Sequence, residues 1–267
     1  MRNITGKTFI VTGANRGIGK VIAKVFLMAG ASVILSGRNK ERLEAVRLEF
    51  IQMGFSPLAI HADLTIPEEC EQLVSASLSH FGKIDGLINN AGLPMRGRFE
   101  KMSAELFAEV VNANMLTAAN CTKSALPELI KTQGSVVFIS SVADIHGLPN
   151  ASPYCAAKMG LRGFSESLRM EMHRHKVHVG LLRLGLVDPP PEKTVLRDDG
   201  TYKAITSKGH QSQESAARAI LRMVRKRKRR ITMTPVGKIL SLINWIAPWL
   251  LRFIVTRMQY SAKYNRD

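Results

Sequence analysis

The chain has 267 residues, enough for one large domain with a full hydrophobic core, and its 45% apolar and 22% charged residues are ordinary for a soluble globular protein. Its net charge of +17 is not ordinary, and most of it lies near the C-terminus, where residues 213–267 contain 13 Lys and Arg against two Asp and Glu. The three cysteines (Cys70, Cys121 and Cys155) lack metal-ligand spacing and no signal-peptide pattern precedes the first strand, so we expect no metal and a reducing, cytoplasmic location.

A glycine-rich turn follows the first predicted strand. The strand, Lys7–Thr12, leads directly into Gly13-Ala-Asn-Arg-Gly17-Ile-Gly19, and a helical pattern then runs from about Lys20 to Ala29. This order is typical of a dinucleotide site, because glycines let the backbone approach a pyrophosphate at the positive end of the helix. An ordinary tight turn is the alternative.

The end of the second predicted strand bears on cofactor choice. Ser32–Ser36 is followed by Gly37-Arg38-Asn39, whereas an NAD site usually places a carboxylate here on the ribose 2′-hydroxyl. Arg38 can instead form charge-assisted bonds to a 2′-phosphate, with Arg16 as a second cation and Arg42 as a weaker candidate. The sequence therefore predicts NADPH.

Asp63 has two predicted roles. A helix from about Lys40 to Met53 leads to the strand Pro57–His61, so Asp63 lies at a carboxyl end, where open α/β sheets bind ligands and where it could contact adenine. It could equally cap the next helix, about Pro67–Phe81. Both roles stay open.

Predicted strands and helices alternate through the middle of the chain. Strands are expected at Gly86–Asn89, Ser135–Ser140 and Val177–Leu184. Helices are expected at about 104–130 and from near Tyr154 to about His175. This alternation predicts an α/β fold with a parallel sheet and helices on both faces.

Three side chains at or near the start of the last of these helices are candidates for proton transfer and for binding a substrate oxygen. Tyr154 and Lys158 are four residues apart in a helical pattern, so the phenol and the ammonium can meet on one face. A free tyrosine has a pKa near about 10, and a nearby Lys⁺ favours the phenolate and lowers that pKa toward neutrality. Ser141, at a strand end, could donate a hydrogen bond to a substrate oxygen.

Taken together, these patterns resemble the short-chain dehydrogenase/reductase family in its single-domain branch. Five of them occur in the family's order over residues 7–190. They are Thr12-Gly13-Ala-Asn-Arg-Gly17-Ile-Gly19, Asn89-Asn90-Ala91-Gly92, Asn114, Ser141, and Tyr154 with Lys158.

The resemblance implies a Rossmann-type, doubly wound sheet with strand order 3-2-1-4-5-6-7 and hydride transfer between a nicotinamide and a carbonyl carbon. The implied catalytic residues are Tyr154 as the proton donor, Lys158 beside it and on the nicotinamide ribose, Ser141 on the substrate oxygen, and Asn114 in a water-linked proton relay. The predicted NADP(H)-binding residues are Thr12, Gly13, Asn15, Arg16, Gly17, Ile18, Gly19, Arg38, Asn39, Arg42, Asp63, Leu64, Asn90, Ala91, Gly92, Tyr154, Lys158 and Val187.

The chain departs from the family pattern after the sixth strand. The family often has Pro-Gly-x-x-x-Thr, where this chain has Leu184-Gly185-Leu-Val187-Asp-Pro189. Val187 can still offer its backbone to the nicotinamide amide, but the hydroxyl of the threonine is missing. Pro189–Pro191 stiffens the start of a predicted substrate lid at about 188–212.

The loop after Ser141 is where members of the family often bind substrate. Its polar residues are Asp144 and His146. His146 could touch a polar substrate group, and a merely solvated histidine is the alternative.

The last part of the domain is strongly basic. A helix from about Gln213 ends in six consecutive cations, Arg225–Arg230, and a short strand follows at Ile231–Met233. Such a run also suggests nucleic acid, but no recognition fold accompanies it, so we do not expect nucleic acid as a partner. We assign residues 1–234 to the reductase domain.

Residues 235–267 form a predicted apolar and basic C-terminal extension. Apolar residues at helical spacing, with Trp245 and Trp249 beside flanking basic residues, favour an amphipathic helix at an anionic membrane surface. Packing on the domain or in a dimer interface, and a true membrane span, stay open. A span needs about 20 apolar residues, and only thirteen uncharged ones, interrupted by Pro248, occur between Ile239 and Leu251.

The sequence thus predicts an NADPH-dependent oxidoreductase of lipid metabolism that acts on a ketone or aldehyde of a lipophilic substrate, with peripheral membrane contact and a homo-oligomer as further expectations. The alternative is a non-catalytic, nucleotide-sensing binding protein on the same fold. All four implied catalytic positions are present, which favours the enzyme.

Overall fold

The structure is a computed structural model and describes residues 2–190, 192–205, 209 and 211–259, without the side chains of 258 and 259. Seven parallel strands form the central sheet in the order β3-β2-β1-β4-β5-β6-β9. These strands are β1 (Thr8–Thr12), β2 (Ser32–Gly37), β3 (Leu58–His61), β4 (Gly86–Asn89), β5 (Ser135–Ser141), β6 (His178–Leu184) and β9 (Arg230–Thr232), while β7 (Thr194–Leu196) and β8 (Tyr202–Ala204) pair separately as an antiparallel hairpin.

The helices flank this sheet. They are α1 (Gly17–Met28), α2 (Lys40–Gln52), α3 (Pro67–Phe81), α4 (Ala104–Val111), α5 (Thr117–Lys131), α6 (Ser152–Glu171), α7 (Gln213–Lys226), α8 (Pro235–Ile246) and α9 (Pro248–Gln259). Counting only strands of the central sheet, the order is the predicted 3-2-1-4-5-6-7. The predicted Rossmann-type fold is therefore confirmed.

Two apolar cores lie on opposite faces of the sheet. In β1, Phe9 and Val11 pack into one core and Ile10 into the other, as expected for a strand whose successive side chains point to opposite faces. Helices α1, α2 and α7 close the first core, and α3, α5 and α6 close the second. Because both faces are covered, β1 is buried along its whole length.

The strand order reverses between β1 and β4, since β2 and β3 lie on one side of β1 and β5 and β6 lie beyond β4. In an open α/β sheet, ligands bind in the crevice outside the carboxyl ends of the strands at such a reversal. The glycine turn after β1 and the Asn90–Gly92 segment after β4 both lie at this crevice.

The predicted helix at about 104–130 is interrupted. Between α4 and α5 the chain forms one π-helical segment, Asn112–Leu116, which contains Asn114. A π-helical insertion is a rare feature that is frequent at functional sites, and no local sequence pattern predicts it.

The predicted lid contains regular structure that was not expected. The hairpin β7–β8 lies within 188–212 and joins the loop after β4 through a bridge between Met95 and Leu196. Residues 191, 206–208 and 210 of the lid lie outside the described residues.

The C-terminal extension is two helices rather than the single amphipathic helix that was predicted. Helix α8 ends at Ile246, and α9 begins at Pro248. Proline has no N–H and its ring clashes with the preceding helical turn, so it starts a new helix instead of continuing the old one. Among the described helices, none is long and apolar enough to cross a membrane, and residues 260–267 lie outside the description.

Candidate active site

A cleft of about 1320 Å³ runs along the carboxyl ends of the strands. It brings together all four predicted catalytic residues and every predicted cofactor residue except Thr12. Residues more than 140 positions apart, such as Gly13 and Lys158, therefore face one space. The hairpin β7–β8 and the loop after β4 line its other end.

The glycine turn is built for close approach of a ligand to the backbone. Gly13 and Gly17 have φ angles of +65° and +54°, in the left-handed region that favours glycine. A Cβ at Gly19 would overlap the carbonyl oxygen of Gly13, so a side chain there would push the turn away from α1. Helix α1 begins at Gly17, and no side chain caps its first turn. This arrangement fits the pyrophosphate of a dinucleotide.

Thr12 does not line the cleft, and its side chain bonds to the backbone after β4. Its Oγ1 accepts hydrogen bonds from the backbone N–H of Asn90 at 2.9 Å and of Ala91 at 3.0 Å. The Asn90 side chain returns a bond to the Thr12 carbonyl at 2.9 Å. The hydroxyl of Thr12 therefore joins the ends of β1 and β4, and its contact with a cofactor stays a prediction.

The other end of the cofactor region carries Arg38 and Arg42 beside Asp63. Asp63 accepts hydrogen bonds from the backbone and hydroxyl of Thr65, at 3.0 and 2.8 Å, and makes no capping bond to α3. Its predicted capping role is wrong, since the bonds close a local turn before the helix. Burial raises the pKa of Asp63, but the Thr65 bonds and the charge of Arg38 outweigh this and lower it. Its contact with adenine stays a prediction.

Three further cofactor predictions have a structural role in addition to lining the cleft. The Asn39 side chain caps α2 by accepting from the Arg42 backbone N–H at 2.7 Å. Arg16 donates to the carbonyl of Glu192 in the lid at 3.4 Å. Val187 pairs with Gln211 in an isolated bridge. Their contacts with a cofactor remain predictions.

Asn114 is buried and its amide is fully engaged. It donates to the carbonyls of Leu93 and Val110, at 2.8 and 2.9 Å, and accepts from the Leu93 N–H at 3.2 Å. These bonds hold the loop after β4 against the π-helical segment. The side chain thus positions the cleft wall, and a part in a proton relay stays a prediction.

Tyr154, Lys158 and Ser141 meet in the cleft, but their electrostatics differ from the expectation. The Lys158 ammonium donates to the Ile139 carbonyl at 3.2 Å and lies 5.5 Å from the centre of the Tyr154 ring. Burial lowers the pKa of Lys158 to about 8 and raises the pKa of Tyr154 to about 12, although a hydrogen bond with Ser141 opposes the latter change. The predicted lowering of the tyrosine pKa by lysine is therefore wrong here, because burial has the larger effect.

Asp144 is not a substrate contact but half of a buried ion pair. Its carboxylate pairs with the Arg183 guanidinium and accepts from the Ser140 hydroxyl at 2.7 Å. Arg183 also donates to the Ser241 hydroxyl on α8 at 3.0 Å. Neither Asp144 nor His146 lines the cleft, whereas Leu148, Pro149 and Asn150 of the same loop do.

Several basic residues that line the cleft were not predicted from the sequence as site residues. They are scattered over two loops, and the only local sign is the basic composition of the segment after Gly92. They are Arg96, Arg98, Lys101, Arg197 and Lys203.

The cleft of this α/β protein joins a glycine turn at the strand-order reversal to a tyrosine, a lysine and a serine. The family model of short chain dehydrogenases matches residues 7–200. The chain therefore belongs to the short-chain dehydrogenase family of oxidoreductases.

Individual relatives agree with this assignment. The chain is 29% identical over 266 residues to "Dehydrogenase/reductase SDR family member 7B" of Bos taurus, covering 95% of this chain and 82% of that protein. It is 38% identical over 177 residues to "11-beta-hydroxysteroid dehydrogenase-like 2" of Arabidopsis thaliana, covering 64% of this chain but only 56% of the plant protein. An alcohol dehydrogenase from Thermococcus sibiricus, solved in complex with 5-hydroxy-NADP, is 27% identical with a TM-score of 0.72 over 85% of this chain and 95% of that one.

The buried ion pair generates a prediction about stability. Replacing Asp144 by Asn leaves the Arg183 charge buried without its partner, which should lower the free energy of unfolding by about 3–5 kcal/mol. The double variant Asp144→Asn/Arg183→Met removes both charges and should recover much of that loss. Urea denaturation measures both changes.

Arg218→Met is the matched control, because it breaks an exposed ion pair with Glu214 and should cost less than about 1 kcal/mol. A loss for Asp144→Asn no greater than that of the control would show that the buried pair does not stabilise the fold.

Proposed function

We propose that the protein is an NADPH-dependent reductase of a carbonyl group on a lipophilic substrate. The observation that carries this proposal is the meeting of Tyr154, Ser141 and Lys158 in one cleft with the glycine turn. A proton donor, a hydrogen-bond donor and a buried ammonium beside a dinucleotide cradle are the groups that reduction of a carbonyl requires from the protein.

Each of the three side chains would have a distinct part in the reaction. The bound nicotinamide would supply the hydride. Tyr154 would donate its hydroxyl proton to the carbonyl oxygen, and its raised pKa keeps that proton in place at neutral pH, as the reduction direction needs. Ser141 would hold the same oxygen by a hydrogen bond, which becomes stronger as negative charge develops there. Lys158, with its pKa lowered to about 8, would still be largely protonated and would favour that charge.

The choice of NADPH is supported by the cations at the end of β2. Arg38 and Arg42 line the cleft where the ribose 2′-position of a dinucleotide would lie, and Arg16 approaches from the glycine turn. A guanidinium suits a phosphate because it can donate two parallel hydrogen bonds. The complex of the archaeal relative with 5-hydroxy-NADP is consistent with this proposal.

The lipophilic substrate and the membrane contact are supported by the C-terminal helices. Helices α8 and α9 expose Trp245 and Trp249, with exposed fractions of 82% and 65%, and further large apolar residues beside them. An apolar surface of this kind usually marks an interaction site. The exposed charges on the same two helices are all basic (Lys238, Arg252 and Arg257), which suits the head groups of anionic lipids. The exposed apolar side chains are Val236, Ile239, Leu242, Trp245, Ile246, Trp249 and Phe253.

The competing proposal is a nucleotide-binding protein without turnover. It would use the same glycine turn and Arg38, but it would have no need of a buried lysine beside a tyrosine and a serine. Removal of the tyrosine hydroxyl separates the two proposals.

Replacing Tyr154 by Phe removes the proton donor and leaves the ring. Carbonyl reduction should fall about 10²–10⁴-fold, because that is the usual contribution of a general acid. NADPH binding, followed by fluorescence titration, should change little. Full activity of Tyr154→Phe would exclude the proposed mechanism, and a wild-type protein that binds NADPH but reduces no ketone or aldehyde across a series of chain lengths would favour the binding protein.

Replacing Arg38 by Ala tests the cofactor choice. NADPH should bind about tenfold or more weakly, since a charge-assisted bond to phosphate is lost, and NADH binding should be unaffected. Isothermal titration with both dinucleotides measures the difference. Arg222→Ala, an exposed arginine on α7 outside the cleft, is the control. Equal losses for NADPH and NADH would contradict a 2′-phosphate contact.

Flotation with liposomes tests membrane contact. The wild-type protein should float with vesicles that contain phosphatidylglycerol and less with pure phosphatidylcholine, and Trp245→Ser/Trp249→Ser should largely abolish flotation because it removes the exposed apolar anchors. The control is Met28→Ser/Met170→Ser, which replaces two apolar residues elsewhere with exposed fractions of 67% and 73%. Equal flotation of both double variants would refute a role for α8 and α9.

A further inference from the structure

The end of the cleft beyond Tyr154 is closed by two loops that form one wall. The backbone of Leu196 in β7 accepts from the Arg96 N–H at 2.9 Å and donates to the Pro94 carbonyl at 3.0 Å. The Asp198 carboxylate accepts from the Arg98 backbone N–H at 2.8 Å. We call residues 93–101 together with 194–204 the distal wall.

The distal wall is anchored to the catalytic loop. The Gly97 N–H donates to the Asn150 carbonyl at 2.8 Å, four residues before Tyr154. Leu93, at its other end, is bonded to Asn114. These bonds tie the backbone of the wall to the segment that leads to Tyr154 and to the π-helical segment.

The distal wall contains five cations and three carboxylates, those of Glu100, Asp198 and Asp199, so its net charge is +2. All five cations line the cleft, and of the three carboxylates only that of Asp198 does. The cations are Arg96, Arg98, Lys101, Arg197 and Lys203.

A dinucleotide does not account for these charges. Its phosphates have Arg16, Arg38 and Arg42, together with Lys193, whose pKa is lowered by burial and by the nearby charge of Arg16. Arg38 and Arg42 lie at the end of β2, two strands away from β4, where the distal wall begins, and two strand spacings amount to about 10 Å. Arg16 is on the glycine turn after β1, and Lys193 lies near it, directly before Thr194 of the wall. The cations of the wall are therefore separate from the Arg38 and Arg42 pair.

The inner part of the distal wall is apolar. Its residues Leu93, Met95 and Leu196 form a buried cluster with Val110 and Ala113, and Tyr154 packs against it. Leu93, Met95 and Ala113 of this cluster line the cleft together with the cations of the wall. The cleft therefore suits a molecule with an apolar body and an anionic end.

We propose that the distal wall binds a carboxylate or phosphate group of the substrate, at the end away from the reacting carbonyl. The proposal rests on the proposed function and narrows its substrate class from lipophilic carbonyl compounds to amphipathic anions. Arg197 is the principal contact, because it is partly buried and its charge is less screened by solvent than those of the exposed Arg98 and Lys101. Arg197 also attracts the exposed carboxylate of Asp199, from which an anionic ligand would have to draw it. Arg98 forms an exposed ion pair with Glu100 at 3.5 Å, which an anionic ligand can replace.

Binding of unreactive ligands tests the proposal without any need for turnover. The probes are decanoate, decyl phosphate and decan-1-ol, titrated into the wild-type protein with saturating NADPH so that the cofactor cations are occupied. Either anion should bind at least about tenfold more tightly than the alcohol, the size of one charge-assisted contact. Tighter binding of decyl phosphate than of decanoate would assign the group as a phosphate, and the reverse as a carboxylate.

Variants locate the contact. Arg197→Gln should remove most of the preference for the anion and leave decan-1-ol binding unchanged, and Arg222→Gln should change neither. If the alcohol binds as well as the anions, or if Arg197→Gln behaves like Arg222→Gln, the proposal is overturned. Anion binding that NADPH competes away would place the anion at the cofactor cations and would equally overturn it.

A turnover experiment separates this proposal from the proposed function. Decanal and 10-oxodecanoate have the same chain length and differ in the terminal carboxylate. A higher kcat/KM for 10-oxodecanoate that Arg197→Gln abolishes supports both proposals. If the protein reduces decanal but not 10-oxodecanoate, the proposed reductase function is kept and the proposed anionic substrate is rejected. Binding of decanoate through Arg197 without reduction of either aldehyde keeps the anion site and counts against the reductase.

Discussion

The side chain of Asn90 joins the two segments that form the floor of the cleft, the glycine turn after β1 and the loop after β4. Its amide donates to the carbonyls of Thr12 and Gly13, while the backbone N–H beside it is held by the Thr12 hydroxyl. These bonds fix the glycine turn of β1 against the end of β4, at the point where the strand order reverses. Gly92, two residues on, lies so close to Asn114 that a Cβ there would be 2.8 Å from the Asn114 Oδ1 and 3.7 Å from the Lys158 ammonium. The glycine turn and the loop after β4 thus share one hydrogen-bonded frame, and Lys158 lies directly beside it.

A second frame lies behind Ser141. The Asp144–Arg183 pair joins the turn after β5 to β6, and through Ser241 it reaches α8 of the C-terminal extension. Gly237 in α8 packs so closely against Val142 that a Cβ there would lie 3.0 Å from it. Helix α8, which carries part of the exposed apolar surface, is therefore packed directly against Val142, the residue that follows Ser141. A lipid surface bound by this helix would thus be connected to the substrate site through a few direct contacts.

Local patterns were sufficient for most of the fold and for selecting Ser141, Tyr154 and Lys158, which the structure brings into one cleft. The bounds of α3 and β4 agree with the prediction, since a proline at the start of α3, a left-handed glycine after it and an apolar run in β4 are local features. The hairpin β7–β8 was missed because its two strands have only three residues each, and the bridge that joins it to Met95 is a contact across 101 residues, which no local pattern records. The π-helical segment was missed for a similar reason, since the Asn114 amide finds its partners only when the loop after β4 is in place.

Electrostatic features were harder to predict than positions. Helical spacing correctly brought Tyr154 and Lys158 to one face, but the sequence could not show how deeply they lie, and burial moves both pKa values in the direction that disfavours charge. Asp144 appeared in the sequence as a polar group for the substrate, yet its partner Arg183 lies 39 positions away on the neighbouring strand. The distal wall was not predicted, because its cations come from two loops that meet only in the folded chain.

The central claim is that the cleft binds NADPH for hydride transfer. Titration of the purified protein with NADPH and with NADH, followed by cofactor fluorescence and thermal unfolding, tests it most directly. We predict saturable binding of NADPH, a rise in the unfolding temperature, and NADH binding that is weaker by about tenfold or more, the size of the contacts to the 2′-phosphate. The absence of binding by both dinucleotides would contradict the claim, whatever the substrate.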